Sequence, residues 1–430
     1  MSKTDFLIET SINSENCFCS KLVNNSNEPI TSFVFCFSIL APVKAVENCF
    51  IHFSSGGYAE LKPEKNFVLQ PGEEWIFKYS YDESRHKPMN HRWSPQGCFI
   101  KLKNKDIFNI KVIDLDLERI SSVAPIPNIS GDKLNYESLR LVPHPYSWEA
   151  SAGVCNLCPP INVFFDNNQI IHSGYRSASE LGTRLNLNFF PESVNEEFEN
   201  ATTSIKIKTQ EFIEESSYEI VITSDVVEIS AGDEAGVYYA LISLMQLTQN
   251  YHQLVPCGNI TDKPRFSWRG QHLDTVRHFY SVESILKLLD LMSLFKLNKF
   301  HWHGTDDEAF RFKLGDDYEI ATATSIRGDG QLVPPVFGSG PEQTGGCYDV
   351  TEIKRIVDRA SANHIDVMPE FDLPGHNMSL VRLFPNMRDP EDKSFEVSVQ
   401  GYLENTLNPG MPDTISIVES RSEEHTSELQ

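Results

Sequence analysis

Three stretches of the chain set carboxylates, imidazoles and an arginine at short spacing: RGQHLDTVR (269–277), KFHWHGTDD (299–307) and IDVMPEFDLPGH (365–376). Each is an apolar run that ends in charge: Asp274 and Arg277, then Asp306 and Asp307, then Glu370, Asp372 and His376. Carboxylates accept from hydroxyls and, when protonated, hand a proton to a leaving oxygen. Arginine offers a planar fork of donors, and aromatic rings cover the apolar face of a sugar. The set suits a polyhydroxylated substrate. No cysteine–histidine couple lies at its centre, and GSGPEQTGG (338–346) lacks the lysine and the strand-to-helix placement of a phosphate loop. His301 and His303 flank Trp302 and raise the question of a metal. Residues i and i+2 of a strand share one face, however, and inside a packed barrel a structural or hydrogen-bonding role is expected. Neither a metal nor a cofactor is expected.

The elements that must position these groups alternate. From Phe266 onward, strand patterns at the three motifs are separated by the helical patterns SVESILKLLDLMSLFKL (281–297) and TEIKRIVDRASANH (351–364). Such alternation implies parallel strands, in a (β/α)8 barrel or an open sheet. The polar residues fall at the C-terminal strand ends, the face on which barrel enzymes assemble their sites. Residues 1–118 read differently, as short strands without helices: TSFVFCFSIL (31–40), AVENCFIHF (45–53), NFVLQ (66–70), EWIFKYSY (74–81) and CFIKL (98–102). They predict a β-sandwich. Trp75 and Trp93 are its candidate sugar contacts, with core or hairpin positions the stronger expectation. SSVAPIPNISGD (121–132) reads as a linker. Residues 119–263 mix the strands TTSIKIKT (202–209), YEIVIT (218–223) and VVEIS (226–230) with a helix over 234–251, an α/β domain. Cys155 and Cys158 within it are read as structural thiols and not as a zinc site.

Composition bounds the rest. A chain of 430 residues has room for about three domains. The net charge of −23 argues against nucleic acid and anionic membrane as partners. The longest apolar run, FVFCFSILAPV (33–43), falls short of the roughly 18 residues of a membrane span. No basic start followed by an apolar stretch is visible, and the nine cysteines read as reduced thiols, so a cytoplasmic location is expected. The tail RSEEHTSELQ (421–430) resembles the conceptual translation of a sequencing adapter and is set aside from fold reasoning.

RFSWRGQHLDTVRHF (265–279), KLNKFHWHGTDDEAFR (296–311) and GGCYDVTEIKRIVDRASANHIDVMPEFDLPGH (345–376), in this order, resemble glycoside hydrolase family 20, the β-N-acetylhexosaminidases. The run from LVPHPYSWEA (141–150) to AGVYYALISLMQL (235–247) resembles that family's non-catalytic α/β domain, so the likeness covers roughly 140–410. It implies a (β/α)8 barrel that removes terminal β-linked GlcNAc or GalNAc from glycans, chitooligosaccharides or glycoconjugates, without a cofactor. Arg277 matches the arginine that holds the 3- and 4-hydroxyls. Asp306 and His376 match a dyad that supports the acid from behind, and Glu370 and Asp372 match the acidic positions of the substrate pocket. Gly304 stands where Leu is common, a change expected to loosen the second strand, and Ala309-Phe310 where Gly-Trp is common.

The family's chemistry depends on an adjacent Asp-Glu pair at the end of the fourth strand, the Glu as acid and the Asp orienting the substrate's own acetamido nucleophile. No such pair follows His376, and Asp233-Glu234 precedes a helix in the second domain. Residues 266–420 number 155, against about 250 for a complete barrel. The resemblance therefore implies an N-terminal portion with a partial barrel (264–420), inactive as written, whose first two domains fold independently with a protease boundary near residue 263. The alternatives are a non-catalytic sugar-binding protein that keeps the Arg277 pocket, or another exo-glycosidase such as a lacto-N-biosidase. Oligomeric state is left open.

Overall fold

The structure is a computed structural model; it describes residues 6–12, 17–39, 42–81, 95–104, 106–114, 139–165, 168–187, 190–191, 194–313, 318–389, 391, 401–402 and 405–419. The 121–132 segment, Trp93 and the 421–430 tail lie outside these residues.

In the first domain burial alternates residue by residue, as along Phe18–Asn24, the mark of strands with one face in a core. Two five-stranded sheets face each other. One holds Phe6–Ile12, Phe18–Asn24, Val43–Glu47, Glu74–Tyr81 and Lys111–Asp114; the other holds Val34–Ser38, Phe50–Ser55, Tyr58–Lys62, Gln96–Lys101 and Ile107–Asn109. The core between them is aromatic, built on Phe35, Phe37, Trp75, Phe77 and Tyr79. Trp75 is 3% exposed and its indole donates to the Asn48 carbonyl, so it is a core residue and no sugar contact. The AVENCFIHF stretch is not the single strand its composition predicts. Asn48, at φ +59°, turns the chain so that Val43–Glu47 joins one sheet and Phe50–Ser55 the other.

The second domain is a six-stranded mixed sheet in the order Ser147–Asn156, Leu254–Asp262, Tyr218–Ile222, Val226–Ala231, Ser204–Thr209, Asn162–Phe165. The helices Gln169–Arg184 and Glu234–Asn250 share one core with it. Asp233 is the N-cap of the second helix, its carboxylate accepting from the Gly236 amide at 2.7 Å, while Glu234 accepts from Ser173. This Asp-Glu pair starts a helix.

The third region carries three parallel strands, β1 (Gly270–Asp274), β2 (Lys299–Asp306) and β3 (Asp366–Phe371), with β2 in the middle. Helix α1 (Val282–Leu294) is capped by Ser281, and α2 (Val350–Ala362) opens with a reciprocal capping box between Asp349 and Glu352. Their apolar faces meet Phe300 and Trp302 of β2 in one core. Gly304 does not loosen β2. A side chain there would put its Cβ 1.8 Å from the Phe312 ring, so glycine is what lets Phe312 pack across the strand at a point where the pairing with β3 shifts register.

The third region is tied by direct contacts to each of the first two. Lys296, 6% exposed, donates across the second boundary to Asp262 and Tyr218, both at 2.7 Å. Asp290 of α1 accepts from Arg184 of the second domain at 3.1 Å and from Arg359 of α2 at 2.9 Å. The sandwich packs Cys36, Tyr58 and Phe99 against Val333, Val336, Met378 and Tyr402, and Lys101 bonds Asp329 at 2.9 Å. Polar groups buried and paired across a boundary resist its opening. Among the described residues no helix is long and apolar enough to cross a membrane, and all nine cysteines are free thiols, Cys155 buried and Cys158 exposed.

Candidate active site

Strand periodicity decides which side chains share the face of this sheet opposite the helices. Along β2, Trp302 points into the helix-side core while His301 and His303 point the other way, towards β3. Register sets Asp274 of β1 opposite His303, and His303 opposite Glu370 of β3. Glu370 therefore gathers imidazoles: His303 Nδ1 at 2.8 Å, His301 Nε2 at 2.9 Å and His272 Nε2 at 3.6 Å. His303 hydrogen-bonds Glu370 and Asp306, and His301 lies in ion-pair contact with Glu370. Two ring nitrogens of this group and the Glu370 carboxylate (His272, His303, Glu370) lie within 4.8 Å of one another, as do His303, Asp306 and Asp372, and Asp306, Asp307 and His376. Such sets have the donor types of a cation site.

Asp306, 2% exposed, is the hub. One carboxylate oxygen accepts from the Asp307 amide at 2.7 Å and from His376 Nδ1 at 3.0 Å; the other accepts from His303 Nε2 at 2.9 Å and from the Arg277 guanidinium. Burial would raise its pKa, but the bond from His303 and the charge of Arg277 outweigh it and hold Asp306 below the usual carboxylate range. Burial would likewise lower His303, and the bonds to Asp306 and Glu370 instead raise it to about 9. Its Nδ1 faces Glu370, and its Nε2 faces both Asp306 and, at 3.0 Å, Arg277 Nη1.

Arg277 is held on three sides. Nη1 donates to Asp274 at 3.0 Å, Nη2 to Asp306, and Nε lies 3.4 Å from Glu308. Asp274 also accepts from the Arg277 amide at 3.0 Å, closing the turn that follows β1. The Asp274 and Asp306 carboxylates hold the guanidinium, the Glu308 carboxyl lies beyond Nε, and the side chain is 26% exposed. His376 comes up from the turn after β3 at φ +57° and is 41% exposed. Asp372 is anchored through its amide to Thr305, and burial pushes its carboxyl up. Of the five residues singled out by sequence, Arg277 and His376 contact Asp306 directly, Glu370 joins it through His303, and Asp372 lies beside His303 and Asp306. A cavity of about 490 Å³ lies elsewhere, against Asn298 and Asp366 at the N-terminal strand ends, and holds none of them.

Sequence reasoning missed Glu308. With Asp307 it forms an adjacent Asp-Glu pair inside the second motif, a signal visible in TDDEAF. Burial pushes Asp307 up to about 6 and Glu308 up to about 8, in each case helped by the neighbouring carboxylates. Glu308 is 1% exposed and faces Arg277, so it is not placed to protonate a leaving oxygen. Arg311 and Arg327, both buried beside Arg277, were missed as well.

Two family descriptions match the chain: "Glycosyl hydrolase family 20, domain 2" over residues 138–263 and "Glycosyl hydrolase family 20, catalytic domain" over 266–428, together two thirds of its length. The chain belongs to glycosyl hydrolase family 20. Among its relatives in the family, a β-hexosaminidase of Vibrio furnissii is 31% identical over 226 residues, 52% of this chain and 37% of that protein. The N,N'-diacetylchitobiase of Vibrio harveyi is 32% identical over 239 residues, 49% of this chain and 27% of that protein. The crystal structure of a family 20 exo-β-N-acetylglucosaminidase from Vibrio harveyi, in complex with N-acetylglucosamine, superposes with a TM-score of 0.82 at 22% identity, over 99% of this chain and 66% of that one. That likeness extends the shared fold to the N-terminal sandwich. The chain spans about a quarter to two fifths of the length of these two curated relatives.

Proposed function

We propose that the mouth formed by β1, β2 and β3 is the terminal-sugar pocket of a β-N-acetylhexosaminidase. The observation that carries this reading is Arg277, its guanidinium plane fixed by Asp274, Asp306 and Glu308. A charged planar fork held rigid in a half-buried pocket suits vicinal hydroxyls, because its orientation is fixed before the ligand arrives. Asp306 and His376 form the supporting dyad, with His376 on the open side, and Glu370 and Asp372 line the wall beyond it. The relatives, a hexosaminidase and a chitobiase, favour N-acetylglucosamine-containing glycans and chitooligosaccharides as ligands.

The reaction in this reading is retaining hydrolysis assisted by the substrate's acetamido group. Its acid and its acetamido-orienting aspartate are an adjacent pair that does not follow His376 in these 430 residues. Saturation-transfer NMR with N-acetylglucosamine, using glucose as control, tests the pocket. Selective N-acetylglucosamine binding is the expected result, and equal response to both sugars contradicts the pocket.

A further inference from the structure

The turn that carries Arg277 is held by two other arginines. After β1 the chain runs through Thr275, Val276 and Arg277, and each of these consecutive carbonyls accepts from a buried guanidinium. Arg311 Nε donates to Thr275 O at 2.9 Å, Arg311 Nη2 to Val276 O at 2.7 Å, and Arg327 Nη2 to Arg277 O at 2.7 Å. The amides on the same turn are held from the other side, Val276 and Arg277 by Asp274 and Thr275 by the His303 carbonyl. Arg311 is 1% exposed and Arg327 7%.

Two buried cations on neutral carbonyls are a costly way to fill space, since an apolar side chain of similar volume carries no desolvation penalty. Arg327 keeps Nε and Nη1 buried without a hydrogen-bond partner, which raises that cost. The surroundings are shaped to accept both groups. Arg311 reaches on to the carbonyls of Ser325 and Gly346, and its guanidinium lies over the Phe279 ring at 5.5 Å. Arg327 lies over Phe337 at 5.5 Å. Gly345 sits at φ +129°, and a Cβ there would fall 2.1 Å from Ser325 O and 3.2 Å from Arg311 Nη1. The glycines that close GSGPEQTGG, without a role in any phosphate loop, are what allow the chain to wrap around Arg311.

We propose that Arg311 and Arg327 are positioning residues for Arg277, a cradle that fixes its backbone so that its guanidinium meets the sugar hydroxyls. The proposal rests on the reading of Arg277 as the sugar-holding arginine. Removing the Arg327 donor frees the Arg277 carbonyl and lets the side chain swing among Asp274, Asp306 and Glu308, whereas a lysine at 327 restores one donor to that carbonyl.

The test uses the full chain with Arg327→Met, Arg327→Lys and Arg311→Lys. It reads thermal stability, N-acetylglucosamine affinity, and the NMR signal of the Arg277 Nε–H group, assigned by its loss in Arg277→Lys. Arg327→Met is expected to weaken N-acetylglucosamine binding about tenfold, the scale of one charge-assisted hydrogen bond, and to shift or broaden the Arg277 signal. Arg327→Lys should recover part of both effects, and Arg311→Lys should disturb the same signal. A folded Arg327→Met with affinity within twofold of the parent and an unmoved Arg277 signal overturns the cradle. If Arg327→Met does not fold, Arg327→Lys decides: affinity and signal equal to the parent overturn the cradle, and an intermediate loss supports it. If the parent chain binds no N-acetylglucosamine, the sugar reading falls, and the Arg277 signal alone decides the cradle.

Discussion

Asp306 accepts from four donors, and its behaviour should show that coupling. With His376 at 3.0 Å and His303 at 2.9 Å, the losses in stability from Asp306→Asn and His376→Gln should not add; chemical denaturation of the two single variants and the double variant checks this, and additive losses refute the pairing. Glu308 makes the site sensitive to pH. Its carboxyl stands at about 8 in the folded chain, against about 4.3 when unfolded, so the folded state holds a proton that the unfolded state gives up. That contribution is fully present below the unfolded value and is lost as pH rises through about 8. His303, raised to about 9, loses its contribution in the same direction over the window from its unfolded value upward. Glu308→Gln should therefore be more stable than the parent at pH 8.5, by at least ~1 kcal/mol, and nearly equal to it near pH 4. Melting curves at the two pH values decide, and a difference independent of pH would contradict the assignment. At this scale the sequence was informative for groups at strand ends. Arg277, Asp306 and His376 announce themselves by following apolar runs. Arg327 sits in the two-residue strand Ile326–Arg327 and has no periodic signal, and Glu308 stands beside two aspartates that draw the eye to themselves.

Elements with strong local patterns were legible and those shaped by tertiary contact were not. The helix over 234–251 and all three barrel strands fall where their apolar spacing predicts. Helix Gln169–Arg184 was missed because its buried face is built partly from small residues, Gly174, Ala178 and Gly182, which carry no apolar stripe; Gly174 lies tight against Val237 of the neighbouring helix. The split of 45–53 into two strands turns on one asparagine at positive φ, a signal that composition masks. Gly304 belongs to the same class: its reason is Phe312, eight residues on and across the strand. Gly304→Ala should destabilise the chain by about 1–3 kcal/mol, and a smaller residue at 312 should recover part of that loss. Denaturant titration of the single and double variants tests it; a neutral Gly304→Ala contradicts the packing.

For the whole molecule, a sandwich, an α/β domain and a parallel sheet follow from strand and helix rhythm, whereas the contacts between them do not, because they are made by single polar side chains and by the small apolar cluster of Cys36, Tyr58 and Phe99 with Val333, Val336, Met378 and Tyr402, which follow no periodic pattern. Lys296 with Asp262 is the plainest of these. Lys296→Met leaves Asp262 buried without its cation and should cost about 3–5 kcal/mol, an effect that Asp262→Leu in the same chain should largely reverse. Under limited proteolysis the parent should yield no stable product ending near residue 263, because that boundary is sealed by buried bonds on both flanks; Lys296→Met should open it. The central claim is that the mouth holds a terminal N-acetylhexosamine through Arg277, and the most direct test is calorimetric titration of N-acetylglucosamine into the parent chain and into Arg277→Ala. The predicted result is saturable binding to the parent and at least tenfold weaker binding to a folded Arg277→Ala, the scale of a lost charge-assisted bond. Binding equal in the two chains, or none in the parent, would contradict it.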